Sequence, residues 1–125
     1  METKMFGFMR GFAANIEEVS VEEAHQRWST KKNQVLILDV RTPSEYEQAH
    51  VEGSLLVPVQ ELGQKMAQLM PHKEKEILVI CRSGNRSYTA ASMLKEKGFE
   101  KAFNVQGGVT AWYQAGLPLN LGKIL

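Results

Sequence analysis

The stretch ILVICRSGNRS, residues 77–87, joins a short apolar run to a polar loop that begins with the only cysteine of the chain. Residues 77–80 are all branched aliphatic side chains, which favour a strand buried on both faces of a parallel sheet. After the loop, residues 87–97 have the pattern of a helix, and Gly98 is a suitable C-terminal cap. A strand, a loop and a helix in this order predict an α/β domain with a parallel sheet.

The same alternation continues on both sides of this stretch. Ser20 and Thr42 each precede an acid by three positions, which is the pattern of a capping box at a helix start. The sequence therefore predicts a doubly wound α/β fold, with five parallel strands and helices on both faces of the sheet. Four further strands are predicted, over residues 16–19, 35–38, 54–57 and 102–105. Helices are predicted over residues 21–28, 42–49 and 62–70 and from Gly107 onward, and a turn over residues 50–53.

The composition narrows the kinds of function to consider. A net charge of +1 in 125 residues gives no strong attraction to nucleic acid or to a membrane surface. No apolar run approaches the roughly 20 residues that a membrane span needs. A single cysteine excludes an internal disulfide, and its free thiol is easiest to keep in the reducing cytoplasm. The three histidines, His25, His50 and His72, show no metal-ligand spacing.

Three segments are predicted along the chain. Residues 1–15, METKMFGFMRGFAAN, lack the uninterrupted apolar region of a signal peptide and are interpreted as an N-terminal extension. Residues 16–118 form the globular domain. Residues 119–125 form an apolar tail, which packs either on its own domain or on a neighbouring molecule.

The loop after the predicted strand has the composition of an anion-binding site. A lone cysteine at this position is often just a small buried hydrophobe, but the next six residues suit a loop better than a core. Gly84 allows unusual backbone angles, and amides at the start of the following helix favour an anion. Backbone N–H groups that point inward in this way form an anion-binding nest, which stabilises a thiolate at Cys81. Arg86 can in addition make a two-pronged contact to an oxyanion through its guanidinium. Arg82 either helps Arg86 or faces solvent, and both sulfur transfer and phosphoryl transfer fit this arrangement.

Three segments together resemble the rhodanese family in its single-domain form: LILDVRTPSEYEQAHVEGSLLVP at 36–58, ILVICRSGNRS at 77–87 and NVQGGVTAW at 104–112. The resemblance extends over roughly residues 16–118. It implies a five-stranded parallel sheet and a sulfurtransferase that uses no metal or organic cofactor. Cys81 would take sulfur from a small-molecule donor such as thiosulfate, form a persulfide, and pass the sulfur to a thiol, to cyanide or to a protein acceptor.

Two alternatives remain beside this resemblance. A phosphatase or arsenate reductase on the same fold carries five residues between its cysteine and its arginine, whereas four residues separate Cys81 from Arg86. The shorter loop favours sulfur over the larger phosphate. The second alternative is a sulfur carrier or docking module with little turnover.

The resemblance also assigns roles to individual residues. The loop residues Arg82, Ser83, Gly84, Asn85, Arg86 and Ser87 would bind the substrate. Asp39 and Arg41 would support the loop, Asp39 by accepting hydrogen bonds from loop amides and Arg41 by pairing with an acid; the alternative is that they contact the substrate directly. His50 is expected to make a structural hydrogen bond rather than to act as a base. The pair Gly107–Gly108 is interpreted as a tight turn without chemistry.

Overall fold

The central sheet of the computed structural model, which describes residues 15–122, contains five parallel strands. The predicted N-terminal extension lies outside the described residues, except for Asn15. Within these described residues the strands are β1 Glu18–Val19, β2 Val35–Asp39, β3 Ala49–His50, β4 Leu55–Leu56, β5 Glu76–Ile80, β6 Ala102–Val105 and β7 Asn120–Leu121. The order in the sheet is β1-β6-β5-β2-β4, all parallel, as predicted.

Helices connect these strands. The α-helices are α1 Val21–Thr30, α2 Pro43–Gln48, α3 Met66–Leu69, α4 Asn85–Glu96 and α5 Gly108–Gln114, and short 3-10 helices cover Val59–Glu61 and Met70–His72. At the start of α2, Thr42 and Glu45 form the predicted capping box, with each side chain accepting from the backbone amide of the other residue. Ser20 likewise accepts from the amide of Glu23 at the start of α1. Within the described residues, none of the helices combines the length and the apolar character needed to cross a bilayer.

The core lies on both faces of the sheet. Along β5 the side chains alternate, so that Ile77 and Val79 pack on the face covered by α4, while Leu78 and Ile80 pack on the face covered by α1 and α5. All four side chains are completely buried. This confirms the predicted strand and the predicted helices on both faces.

The structure corrects the helix predicted over residues 62–70. Residues 62–65 form turns, Met66–Leu69 form the single helical turn α3, and Met70 already begins the second 3-10 helix. Gly63 lowers the helix propensity of the segment, and Pro71 cannot donate a backbone hydrogen bond. The apolar spacing was nevertheless a correct guide to burial, because Leu62 and Leu69 are fully buried.

The predicted turn over residues 50–53 is also wrong at its first residue. Ala49 and His50 form β3, which pairs antiparallel with β7, and the turn is confined to Glu52 and Gly53. The partner strand comes from residues 120–121, so this part of the apolar tail packs on its own domain. Smaller differences concern α2, which ends at Gln48, and α4, which begins at Asn85 rather than at Ser87.

Candidate active site

Cys81 follows β5 directly, at the carboxyl edge of the parallel sheet where ligands of open α/β folds bind. Gly84 caps the N-terminus of α4 with a φ of +115°, a left-handed conformation that suits glycine. From the other side, the amide of Val109 donates to the carbonyl of Cys81 at 2.8 Å, and the amide of Thr110 donates to the carbonyl of Arg82 at 3.1 Å. The loop is therefore held between the first turns of α4 and α5.

Gly108 makes this close approach possible. A Cβ atom at this position would overlap the carbonyl oxygens of both Cys81 and Arg82, and its φ of +60° is also left-handed. The sequence interpretation as a mere tight turn therefore missed its contact with the cysteine loop. The paired glycines after β6 were the available signal, but only the fold shows which backbone lies against them.

The sulfur of Cys81 lies inside a ring of hydrogen-bond donors. The residue is 1% exposed, and Sγ accepts from the amide of Gly84 at 3.1 Å and from the hydroxyl of Ser87 at 3.2 Å. The loop residues Arg82, Ser83 and Asn85 are exposed, so solvent reaches the loop although the sulfur is covered. From the sequence, a buried Cys81 and a Cys81 surrounded by inward-pointing donors were alternatives. In the structure the cysteine is buried and the donors surround it.

These contacts change the acidity of the thiol. Burial raises the pKa of Cys81, but hydrogen bonds from the Ser87 hydroxyl and from the amides of Ser87, Gly84 and Ser83 outweigh it, so the net pKa is lowered. The thiolate is therefore stabilised mainly by hydrogen bonds, whereas the sequence predicted a contribution from the arginine charges as well.

Arg86 makes a contact that the sequence did not predict. Its two terminal nitrogens donate to the two carboxylate oxygens of Glu45, each at 2.9 Å. The guanidinium that was predicted to bind a substrate oxyanion therefore binds a side chain of α2 instead. The hydrogen bond with Arg86 is the largest influence on Glu45 and lowers the pKa of that carboxyl to about 2. The same hydrogen bond raises the pKa of Arg86.

Two buried polar side chains, Ser87 and Asn104, connect the sulfur to the exposed residue Glu18 on β1. Ser87 contacts the side-chain oxygen of Asn104 on β6, and the amide nitrogen of Asn104 donates to Glu18 at 2.8 Å and to the carbonyl of Gly84 at 3.3 Å. Asn104 is 1% exposed. Asn104 could not be identified from the sequence, because nothing in its local pattern distinguishes a polar strand residue beside a loop from one facing solvent.

Asp39 and Arg41 form a buried pair next to this site. Arg41 donates to the carboxylate of Asp39 through its backbone amide, Nε and Nη2, with the Nη2 contact at 2.8 Å, and Nη2 also donates to the carbonyl of Ala49. The prediction that Arg41 pairs with an acid is confirmed. The expected hydrogen bonds from loop amides to Asp39 are not formed, because Arg41 supplies the donors that surround this carboxylate.

His50 has the structural role expected of it. Its Nδ1 lies 2.7 Å from the carbonyl oxygen of Tyr46, and its ring stacks on the Tyr46 ring with centroids 3.8 Å apart. In the part of the chain that the structure describes, no three side chains of His, Cys, Asp or Glu are grouped so that they could hold a metal ion.

A cleft of about 470 Å³ lies beside the cysteine loop. Glu45 and Arg82 supply charge on its wall, and Tyr113 of α5 and Leu121 of β7 supply exposed apolar surface. The short β3–β7 pair borders this cleft through Ala49 and Leu121.

The arrangement has counterparts in known proteins. The family model of the rhodanese-like domain matches residues 20–115. A sulfurtransferase of Allochromatium vinosum is 33% identical over 104 residues, which cover 83% of this chain and 94% of the relative. The Bacillus subtilis protein YrkF, named as a candidate sulfur carrier, is 38% identical over 100 residues, and the chain spans only 52% of its length.

A solved structure agrees with this match. The crystal structure of a rhodanese-related protein from Thermoplasma volcanium superposes with a TM-score of 0.73 at 28% identity, covering 84% of this chain and 98% of the other.

Proposed function

Because the chain belongs to the rhodanese family, we propose that it is a sulfurtransferase that carries sulfane sulfur as a persulfide on Cys81. The observation that carries this proposal is the position of Sγ at the start of α4, where the Gly84 amide donates to it and the Ser87 hydroxyl lies within hydrogen-bond distance. Such donors stabilise the thiolate, which is the nucleophilic form of cysteine.

In the first step, the Cys81 thiolate attacks the outer sulfur of a donor such as thiosulfate. A bond forms between Sγ and the outer sulfur, the sulfur–sulfur bond of thiosulfate breaks, and sulfite leaves with the electron pair. The product is an anionic persulfide on Cys81. Amides of the loop, including those of Ser83 and Gly84, are available to stabilise the charge on its outer sulfur.

In the second step, an acceptor takes the outer sulfur. Cyanide attacks that sulfur and leaves as thiocyanate, or a thiolate attacks it and leaves as a new persulfide. Both reactions return Cys81 to the thiolate without any outside oxidant or reductant. A protein thiol is a suitable acceptor as well, because the adjoining cleft offers the apolar surface of Tyr113 and Leu121.

Arg82 and Arg86 are the cations proposed to attract an anionic donor to the loop. Arg82 is exposed, whereas Arg86 reaches a donor only by sharing or releasing Glu45. We place Arg82, Ser83, Gly84, Asn85, Arg86 and Ser87 in the binding loop, and we place Asp39 and Arg41 in support of it. The free thiol of Cys81 fits a reducing compartment such as the cytoplasm.

A second candidate function is a sulfur carrier with low turnover. The burial of Cys81 favours it, because a covered persulfide survives longer between loading and delivery. Phosphoryl transfer is less well supported, since only four residues separate Cys81 from Arg86 and the fork of Arg86 is occupied by Glu45.

Intact-protein mass spectrometry after thiosulfate treatment tests these functions together. A sulfurtransferase gains one sulfur atom, loses it to cyanide with release of thiocyanate, and does so repeatedly. A carrier loads once and turns over slowly. The Cys81→Ser variant is expected to show neither step, and an unmodified wild-type protein that instead hydrolyses an aryl phosphate would overturn the proposal.

A further inference from the structure

The side-chain amide of Asn104 is held in one orientation by its surroundings. Its nitrogen donates to the carboxylate of Glu18 and to the backbone carbonyl of Gly84, and both of these groups accept hydrogen bonds. The amide oxygen must therefore face Ser87, with which it is in hydrogen-bond contact. A flipped amide would place its oxygen against two other acceptors.

Ser87 has a single hydroxyl proton for two acceptors. Its Oγ lies in hydrogen-bond contact with the oxygen of Asn104 and 3.2 Å from Sγ of Cys81. An amide oxygen accepts only, and a thiolate also accepts only. Asn104 and an ionised Cys81 therefore compete for the same proton, and both Ser87 and Asn104 are buried.

The competition affects the chemical states of Cys81 differently. A neutral thiol donates its own proton to Ser87, and Ser87 then donates to Asn104, so every group is satisfied. A thiolate draws the Ser87 proton toward sulfur and leaves the buried oxygen of Asn104 without that donor, which is costly. In the persulfide the charge lies on the outer sulfur, Sγ is uncharged, and Ser87 donates to Asn104 again.

We propose that Asn104 is a positioning residue that draws the Ser87 proton away from Cys81 and thereby favours the uncharged Sγ of the thiol and of the persulfide over the thiolate. This inference rests on the proposed role of Cys81 as the sulfur-carrying nucleophile. As a consequence, the Cys81 thiolate is less stabilised than it would be by the same hydrogen-bond donors without Asn104. The thiolate is therefore more readily converted to the persulfide.

Charged groups from several elements surround this network. Within the described residues they are Arg82 and Arg86 from the loop and α4, Glu45 from α2, Asp39 and Arg41 from the end of β2, and Glu18 from β1. Replacing Asn104 by an uncharged residue changes none of these charges. An effect on Cys81 would then come through hydrogen bonding.

The test is the rate of Cys81 alkylation by iodoacetamide as a function of pH, in a double-mutant cycle. Asn104→Ala is expected to lower the midpoint by about 0.5 to 1 pH unit, the size of one neutral hydrogen bond. Ser87→Ala is expected to raise it. In the Ser87→Ala background, Asn104→Ala should have no further effect, because the shared proton is gone. Asn33→Ala, at an exposed turn residue, is the matched control and should leave the midpoint unchanged.

The proposal would be overturned by a midpoint that is unchanged or raised in Asn104→Ala, or by a downward shift of the same size with and without the Ser87 hydroxyl. If Asn104→Ala fails to fold, as judged by thermal unfolding, Asn104→Leu keeps the branched shape of the side chain without its polar atoms and makes the same test. At a fixed thiosulfate-to-sulfite ratio, Asn104→Ala should also reduce the persulfide-to-thiolate ratio by about three- to tenfold, which is the same shift expressed as an equilibrium. Failure of the wild type to load sulfur would count against the proposed function, and the alkylation cycle would still decide the role of Asn104.

Discussion

Arg86 and Glu45 are 41 positions apart in the sequence, and their side chains meet in a two-pronged ion pair with both contacts at 2.9 Å. The pair joins the start of α4 to the start of α2. A second hydrogen bond, within the start of α2, also holds Glu45 in place, because the same carboxylate accepts from the backbone amide of Thr42 in the capping box. The cation nearest the end of the cysteine loop is thus neutralised by the protein itself, and this limits how strongly the loop attracts an anionic donor.

Glu45→Gln is expected to improve the use of thiosulfate. Glutamine retains the capping box but removes the negative charge, so Arg86 becomes free for the donor. The pair is partly exposed, with 34% and 27% of the two side chains accessible, and a gain of up to about fivefold in kcat/KM matches such a pair. Steady-state kinetics measure the gain, with exposed Glu47→Gln on the same helix as the control. Unchanged or weaker use of thiosulfate would show that Arg86 does not meet the donor.

The same ion pair should make stability depend on pH in acid. The folded-state pKa of Glu45 is lowered from 4.5 to about 2, so its contribution is fully present above about pH 4.5 and is lost as the pH falls toward about 2. Urea unfolding of the wild type and of Glu45→Gln at pH 6 and at pH 2 measures this contribution. The wild type should be the more stable at pH 6, and the difference should shrink at pH 2. A constant difference would assign the stability to something other than the ion pair.

Sulfur loading should slow as Cys81 becomes protonated. Because the pKa of Cys81 is lowered from 9.0, the thiolate persists below that pH, and the rate should fall only as the pH drops through the lowered value. Loading followed by mass spectrometry between pH 5 and pH 10 gives the midpoint, and free cysteine under the same conditions provides the reference. A midpoint at or above 9 would mean that burial outweighs the hydrogen bonds.

Asp39→Asn should destabilise the protein strongly. Asp39 and Arg41 are almost fully buried, with 0% and 5% of their side chains exposed, and removal of the carboxylate leaves the Arg41 charge without its partner. Breaking a buried pair in this way costs roughly 3–5 kcal/mol. Urea unfolding measures the loss, and Glu23→Gln in the more exposed pair with Arg27 should cost no more than about 0.5 kcal/mol. Similar losses in the two variants would rule out a special role for the buried pair.

Gly108→Ala should displace the cysteine loop. The added methyl group would overlap the carbonyls of Cys81 and Arg82, in addition to the roughly 1–2 kcal/mol that a left-handed conformation costs. Gly116→Ala is the matched control, because Gly116 also has a positive φ but has open space around it. The Gly108 variant should lose sulfur loading and more stability than the control, whereas the control should lose only the roughly 1–2 kcal/mol of the left-handed conformation and should load sulfur normally. Equal effects would show that the close approach at Gly108 does not position the loop.

Much of the fold could be predicted from local patterns. Residues 77–80 are branched and apolar without interruption, and in the structure they are buried from both sides, as a central parallel strand must be. The capping box of Thr42 and Glu45 was also readable, because its members lie three positions apart. The break in the helix between Leu62 and Leu69 could not be predicted, since the spacing of apolar residues indicates which side chains are buried but not whether the helical backbone is continuous.

The sequence by itself determined the order of the features that form the site. An apolar strand is followed by one thiol, and then by a glycine and the start of a helix, whose backbone amides turn toward that thiol. These are local relationships, set by backbone geometry within a few residues. Only the tertiary structure decided what the loop touches. Glu45 reaches Arg86, Asn104 reaches Ser87 and Gly108 reaches Cys81 across 41, 17 and 27 positions, because the parallel strands deliver their following loops to one edge of the sheet. Which side chains then meet depends on the packing of whole helices, and no local pattern contains that information.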